Sequence, residues 1–179
     1  NNVVIESTKE QSYAKGYSLK VSNRTADWHG TKFMLDPSVF TIGNTYTFSA
    51  YAYSATPTDF KFTFSNGLSS FKQIDQEHCD GVNWVHLNGT FTVPSEVNPY
   101  GMYVYIENTG TTQGEGDNKT TDYNAFYIDE FTVLEGNHTG VEVTNAGVIS
   151  LDGRDWICNL SNTDTKVTTS NNNKKQLIR

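Results

Sequence analysis

Thr45-Tyr-Thr-Phe-Ser-Ala-Tyr-Ala-Tyr53 alternates strictly, with Tyr46, Phe48, Ala50 and Ala52 on one side and Thr47, Ser49, Tyr51 and Tyr53 on the other. In an extended chain successive side chains point to opposite faces, so this stretch reads as a strand with one face on a core. The same two-residue period appears on either side of it. Tyr17-Ser-Leu-Lys-Val21 precedes it, and Asp59–Phe64, Trp84–Val93, Gly101–Glu107 and Ala125–Val133 follow. No long stretch repeats apolar residues at helical spacing, and Gly, Asn, Thr and Pro punctuate the chain. Many short strands separated by turn signals predict an all-β sandwich.

Composition agrees. The chain of 179 residues is 36% hydrophobic, 13% aromatic and only 18% charged, so it has the apolar material for a core. Its net charge of −7 argues against nucleic acid and against an anionic membrane, both of which call for a Lys/Arg surface. No apolar run approaches the roughly 20 residues of a membrane-spanning helix. The chain shows no signal peptide, although its first residues already read as a strand, as they would after removal of a leader. Cys79 and Cys158 are too few for a disulfide scaffold, and a bridge between them requires the end of the chain to fold back on the body. Asn23, Asn88, Asn118, Asn137 and Asn159 stand in Asn-x-Ser/Thr sequons.

The alternation also sorts residues by face. Met102, Val104 and Ile106 form a core face, which leaves Tyr103, Tyr105 and Glu107 on the opposite one. Tyr17, Leu19 and Val21 point inward, and continued extension puts Arg24 outward with Lys20 and Ser22. Tyr residues that point away from the core on two strands, one pair beside a carboxylate, suit sugars. Sugar C–H groups stack on aromatic faces, and their hydroxyls exchange hydrogen bonds with Arg and Glu. Catalysis finds little support. A glycoside hydrolase needs two facing carboxylates, and only Glu107 has a place in such a cleft. The four His are scattered, and neither a nucleophile elbow nor a phosphate-cradling glycine loop is present.

At the level of motifs, Gly16-Tyr-Ser-Leu-Lys-Val-Ser-Asn-Arg-Thr-Ala-Asp-Trp-His-Gly30 resembles a stretch of carbohydrate-binding modules of family 22. Phe33-Met-Leu-Asp-Pro37, Gly43–Tyr51, Trp84–Pro94, Tyr103-Val-Tyr-Ile-Glu107 and Phe126-Tyr-Ile-Asp-Glu-Phe131 are similar to that family in the same order, over roughly residues 3–135. The resemblance implies a β-sandwich jelly roll with a cleft that binds xylan or a related β-linked chain such as mixed-linkage glucan. It implies no catalysis by the module itself, secretion, attachment to a glycoside hydrolase, and a structural calcium ion. Position by position, it implies that Arg24, Tyr51, Phe71, Tyr105 and Glu107 contact sugar. Tyr51 stands where the family has a Trp, and Phe71 where it usually has a Tyr. Tyr103 joins this set through strand parity. For calcium, the resemblance implies Asp129 as a ligand, with Glu10, or Asp152 if the end of the chain folds back, replacing a Glu of a first strand that is missing here.

The ends depart from the family. The Phe-Glu-x-Gly strand is missing before residue 1, while Gly136–Arg179 follows the last matched strand. Residues 1–135 are therefore expected to form the module. Residues 136–179 read as a linker, the start of another domain, or a permuted strand carried by Ile149–Trp156. The loop Asn108–Asn124 either walls one end of the cleft or is a solvated surface loop. A structural or adhesin-like sandwich without xylan affinity is the alternative function, since fold alone does not fix function.

Overall fold

A computed structural model describes residues 3–14, 16–115 and 119–139, together with the backbone of two strands at 146–151 and 154–159. The described residues form strands, turns and bends, with no helix.

A five-stranded antiparallel sheet is built, in spatial order, from Val4–Thr8 (β1), Ser18–Ser22 (β2), Phe126–Glu135 (β11), Thr45–Tyr53 (β4) and Val85–Thr92 (β7). A four-stranded one is built from Thr31–Met34 (β3), Tyr103–Asn108 (β8), Thr58–Ser65 (β5) and Phe71–Cys79 (β6). Strands β9 (Thr111–Gln113) and β10 (Thr120–Asp122) make a small hairpin inside the 108–124 loop, and β12 (Ala146–Leu151) pairs with β13 (Arg154–Asn159). The fold is a β-sandwich jelly roll, as the alternation and the resemblance together anticipate.

The inward faces are those the two-residue period selects. Tyr46, Phe48, Ala50 and Ala52 of β4, Phe60, Phe62 and Phe64 of β5, and Val104 and Ile106 of β8 are buried, as is Met102 just before β8. Aromatic contacts join the layers: Phe48 meets Phe62 edge-on at 6.1 Å, Phe60 meets Phe126 at 5.5 Å, and Phe64 stacks on Phe91 at 3.8 Å. Each buried ring is worth about 2–3 kcal/mol from area alone. Where β6 and β7 close one side of the sandwich, Gly89 lies so near Ile74 that any side chain there would collide with it.

Two expectations fail at the ends of β2. Tyr17 lies just before the strand and is 53% exposed, with the Lys9 ammonium over its ring. Asn23, just after the strand, takes a left-handed φ of 54°, which ends the alternation and turns the Arg24 side chain inward. The expected linker, permuted strand or further domain at 136–179, including Asp152, falls mostly outside the described residues. So do the side chain of Cys158 and therefore any bridge to Cys79.

Candidate functional site

The outward face of the four-stranded sheet is a grid set by its register. Phe71 lies beside Ser65, Ser65 beside Tyr103, and Tyr103 beside Met34. The next row runs Gln73, Thr63, Tyr105, Lys32, and the one after it Gln76, Lys61, Glu107. Aromatic rings thus occupy the centre, and amide, ammonium and carboxylate groups surround them. Thr63 and Ser65 are buried beneath the rings.

The rings stand apart rather than lying on one another. Phe71 meets Tyr105 edge-on, at 6.2 Å and 90°, and Tyr103 meets Tyr105 at 5.9 Å and 52°. Phe71 is 56% exposed. Beside them opens a groove of about 650 Å³ lined by Val3, Ile5, Trp28, Gly30, Thr31 and Lys32 together with Phe71, Tyr103 and Tyr105. That volume lies within the roughly 300–1,000 Å³ typical of ligand sites. Trp28, 74% exposed, stands on the turn after Arg24. Gly30 packs against the Ile106 carbonyl and the Glu107 side chain, where a Cβ would collide.

Electrostatics mark the polar end. Burial pushes the Glu107 carboxyl above its usual range; Lys61 opposes that shift, and Asp27 adds to it. Burial, then the Glu107 charge, raises the Tyr105 hydroxyl, which keeps it a neutral donor. Glu107 is half-buried.

Of the residues expected to share one groove, the structure brings together Phe71, Tyr103 and Tyr105, with Glu107 on the neighbouring row. Arg24 is not among them. It is 6% exposed, and its guanidinium bonds protein acceptors throughout. Nε donates to His29 O at 2.6 Å, one amino group to Asn108 Oδ1 and Asn124 O, and the other to Asn108 O at 2.7 Å and Asp27 O at 3.1 Å. Desolvation lowers its pKa to about 10, so it stays charged at neutral pH, above the Phe126 ring at 4.9 Å. Arg24 is a bolt between the two sheets that holds the Trp28 turn against the end of β8, with no donor left for a sugar.

Tyr51 is also elsewhere, on the outward face of the five-stranded sheet, the opposite side of the sandwich. Strand parity shows that a residue points away from the core but not on which of the two sheets, and that is why the pairing of Tyr51 with Tyr105 fails. Its ring lies 3.6 Å from that of Tyr13 and 4.6 Å from that of His86, nearly parallel to both. Trp84 meets Tyr13 edge-on at 6.0 Å and Tyr53 at 5.4 Å.

The calcium expectation meets a donor set that does not fit. Asp129 Oδ2 accepts the backbone N–H groups of Tyr13 and Ala14 at 2.8 and 3.0 Å, and Oδ1 accepts that of Glu130 at 2.7 Å. Glu10 lies instead on the Lys20 ammonium at 2.6 Å and accepts the Tyr127 hydroxyl at 2.9 Å. Both carboxylates face donors where calcium wants an oxygen shell. Among the described residues, no group of three His, Cys, Asp or Glu could hold a metal ion.

Sequence reasoning missed Trp28, Lys32, Val3 and Ile5 as groove residues. Lys32 was within reach, because a strand over 31–34 places it outward in register with Tyr105. Trp28 lies in a turn, where no period applies.

The family model described as "Carbohydrate binding domain" matches residues 1–114. Endo-1,4-beta-xylanase Y of Acetivibrio thermocellus is 34% identical over 139 residues, which is 70% of this chain and 12% of that protein. Endo-1,4-beta-xylanase A of Thermotoga maritima is 24% identical over 79% of this chain and 13% of its own length. The chain therefore spans about an eighth of these relatives. Among solved structures, the C-terminal family 22 carbohydrate binding module of Clostridium thermocellum Xyn10B is 30% identical, with a TM-score of 0.62 over 75% of this chain and 82% of that one. A xylan-binding domain of the same family is 31% identical, with a TM-score of 0.60 over 75% and 83% of the two chains.

Proposed function

Since the chain belongs to the carbohydrate-binding domain family and, within it, to the family 22 modules, we propose that it binds xylan along the groove of the four-stranded sheet. The observation that carries this reading is the row of separated rings, Phe71, Tyr105 and Tyr103, framed by Glu107, Lys61, Gln73 and Gln76. Pyranose rings stack on the aromatic faces, and hydroxyls bond to the carboxylate, ammonium and amides around them. The face performs no chemistry. Hydrolysis requires two carboxylates about 5–10 Å apart across the bond, and in the three rows around these rings Glu107 is the one carboxylate.

The module is residues 1–135, ending with β11, and 136–179 lead on from it. In the parent protein it is secreted and holds an attached glycoside hydrolase against its polymer. Desolvating hydroxyls offsets most of what their hydrogen bonds gain, so binding to neutral xylo-oligosaccharides is weak and indifferent to salt.

Native affinity electrophoresis in gels containing xylan, mixed-linkage glucan, mannan or hydroxyethyl cellulose tests the proposal. Retardation by xylan, without release of reducing sugar, is expected. Migration unaffected by xylan overturns the reading, and equal retardation by mixed-linkage glucan widens the ligand class to β-linked chains in general.

A further inference from the structure

The groove contains a cation that a neutral polysaccharide does not use. Lys32 stands on β3, the edge strand of the four-stranded sheet, beside Tyr105 in register and among the groove-lining residues. Its ammonium lies over the Tyr103 ring, 5.2 Å from the centroid. Among the described residues it forms no ion pair. Of the other cations near this face, Arg24 is consumed by protein acceptors, and Lys61 stands opposite Glu107 in the ladder, outside the groove lining. Lys32 is therefore the charged group of the groove lining, in a chain whose overall charge is −7.

Position gives this charge a use. A sugar chain stacked over Tyr103 and Tyr105 runs beside β3, and the wall beyond is apolar, formed by Val3, Ile5 and Trp28. A substituent that leaves the chain toward that wall passes Lys32. A neutral branch would gain little there, whereas a carboxylate would gain a charge-assisted hydrogen bond from an ammonium held in place by an aromatic ring.

We infer that the groove prefers xylan bearing uronic acid branches, and that Lys32 reads the branch carboxylate. The inference rests on the proposed xylan site and adds to it a class of decoration.

The test is isothermal titration of two xylo-oligosaccharides of equal length, one unsubstituted and one with a single glucuronic acid branch, at low and high salt. The branched oligosaccharide is expected to bind about 1.5- to 5-fold more tightly at low salt, the range of one exposed ion pair. High salt should erase the difference. Lys32→Gln should bring the ratio of the two affinities to one, whatever it does to each, and Lys32→Arg should retain the preference. Equal affinities in the unmutated protein overturn the inference and leave the xylan site standing, as does a preference that survives Lys32→Gln. If neither oligosaccharide binds, the groove reading falls and takes this inference with it.

Discussion

Both outer faces of the sandwich carry clustered aromatic side chains and arrange them in opposite ways. On the four-stranded face, Phe71, Tyr103 and Tyr105 stand edge-on or tilted, beside an open groove. On the five-stranded face, Tyr13, Tyr51 and His86 lie nearly parallel at 3.6 and 4.6 Å, and Trp84 closes against Tyr13 and Tyr53. A ring can offer a sugar only a face that the protein has not already covered. Aromatic content is thus a poor marker of a binding surface, and the orientation of the rings relative to one another is a good one.

The largest expected effect lies at the junction of the two faces. Arg24→Ala would strip hydrogen-bond donors from the buried carbonyls of His29 and Asn108 and from the part-buried ones of Asp27 and Asn124. Unpaired buried acceptors cost roughly 1–3 kcal/mol each before relaxation, so a loss of about 3–5 kcal/mol is expected in urea unfolding. Arg24→Lys should recover little of it, because one ammonium cannot reproduce a planar fork with five donors. A loss below 1 kcal/mol would mean that Arg24 is not the bolt described.

A paired substitution tests the comparison itself. Tyr105→Ala should weaken xylan binding roughly 10- to 100-fold, the range of an interface hot spot, with a small change in Tm. Tyr51→Ala should do the reverse. It loses a ring held between Tyr13 and His86, costing about 1–3 kcal/mol of stability, and leaves the affinity for xylan unchanged. Strand parity and the resemblance together predict the contrary, that Tyr51→Ala abolishes most binding while barely changing Tm. Titration and thermal melts of the two variants decide between them.

What was legible in the sequence was parity within a strand. The alternation in 45–53 and 101–107 correctly picks the core face, because a pleated strand leaves no other choice, although Thr47 and Ser49 on the other face of β4 are also buried, bonded to Gly136, His138 and His86. Three things lay beyond it. The partner of each strand is a long-range matter, so Tyr51 and Tyr105 look alike in sequence although β4 and β8 belong to different sheets. Single residues with positive φ reset the parity, as Asn23 does before Arg24 and Glu130 does where β11 shifts register against β4. The Trp28 turn has no period at all.

The turn that covers Tyr51 offers the next smaller effect. Asp129 grips it through the amides of Tyr13 and Ala14. Asp129→Ala should release the turn, loosen the Tyr13 ring and lower stability by about 1–2 kcal/mol, as the loss of a helix-cap carboxylate does. Because both oxygens accept N–H groups, the loss should be the same in calcium and in EDTA. A variant that differs from its parent only when calcium is present would restore Asp129 as a metal ligand.

The smallest effect returns to the open face and concerns pH. Burial raises the Glu107 carboxyl in the folded protein above its value in the unfolded chain, so folding favours the neutral acid. The ionised form therefore costs stability at neutral pH. That cost fades as pH falls through the raised folded value, and it is gone below the unfolded one. Glu107→Gln, neutral at every pH, should melt about 1–2 °C above its parent at neutral pH, and the gap should close on acidification; the residue is only half-buried, and solvent screening keeps the figure small. Binding should move the other way, since a carboxylate accepts hydroxyl hydrogen bonds better than an amide does. Glu107→Gln should thus be slightly more stable at neutral pH and bind xylan less well, the signature of a group kept for its ligand at the expense of the fold. A variant that is less stable at neutral pH would instead make Glu107 a structural partner of Lys61, and the polar end of the groove would lose its acceptor.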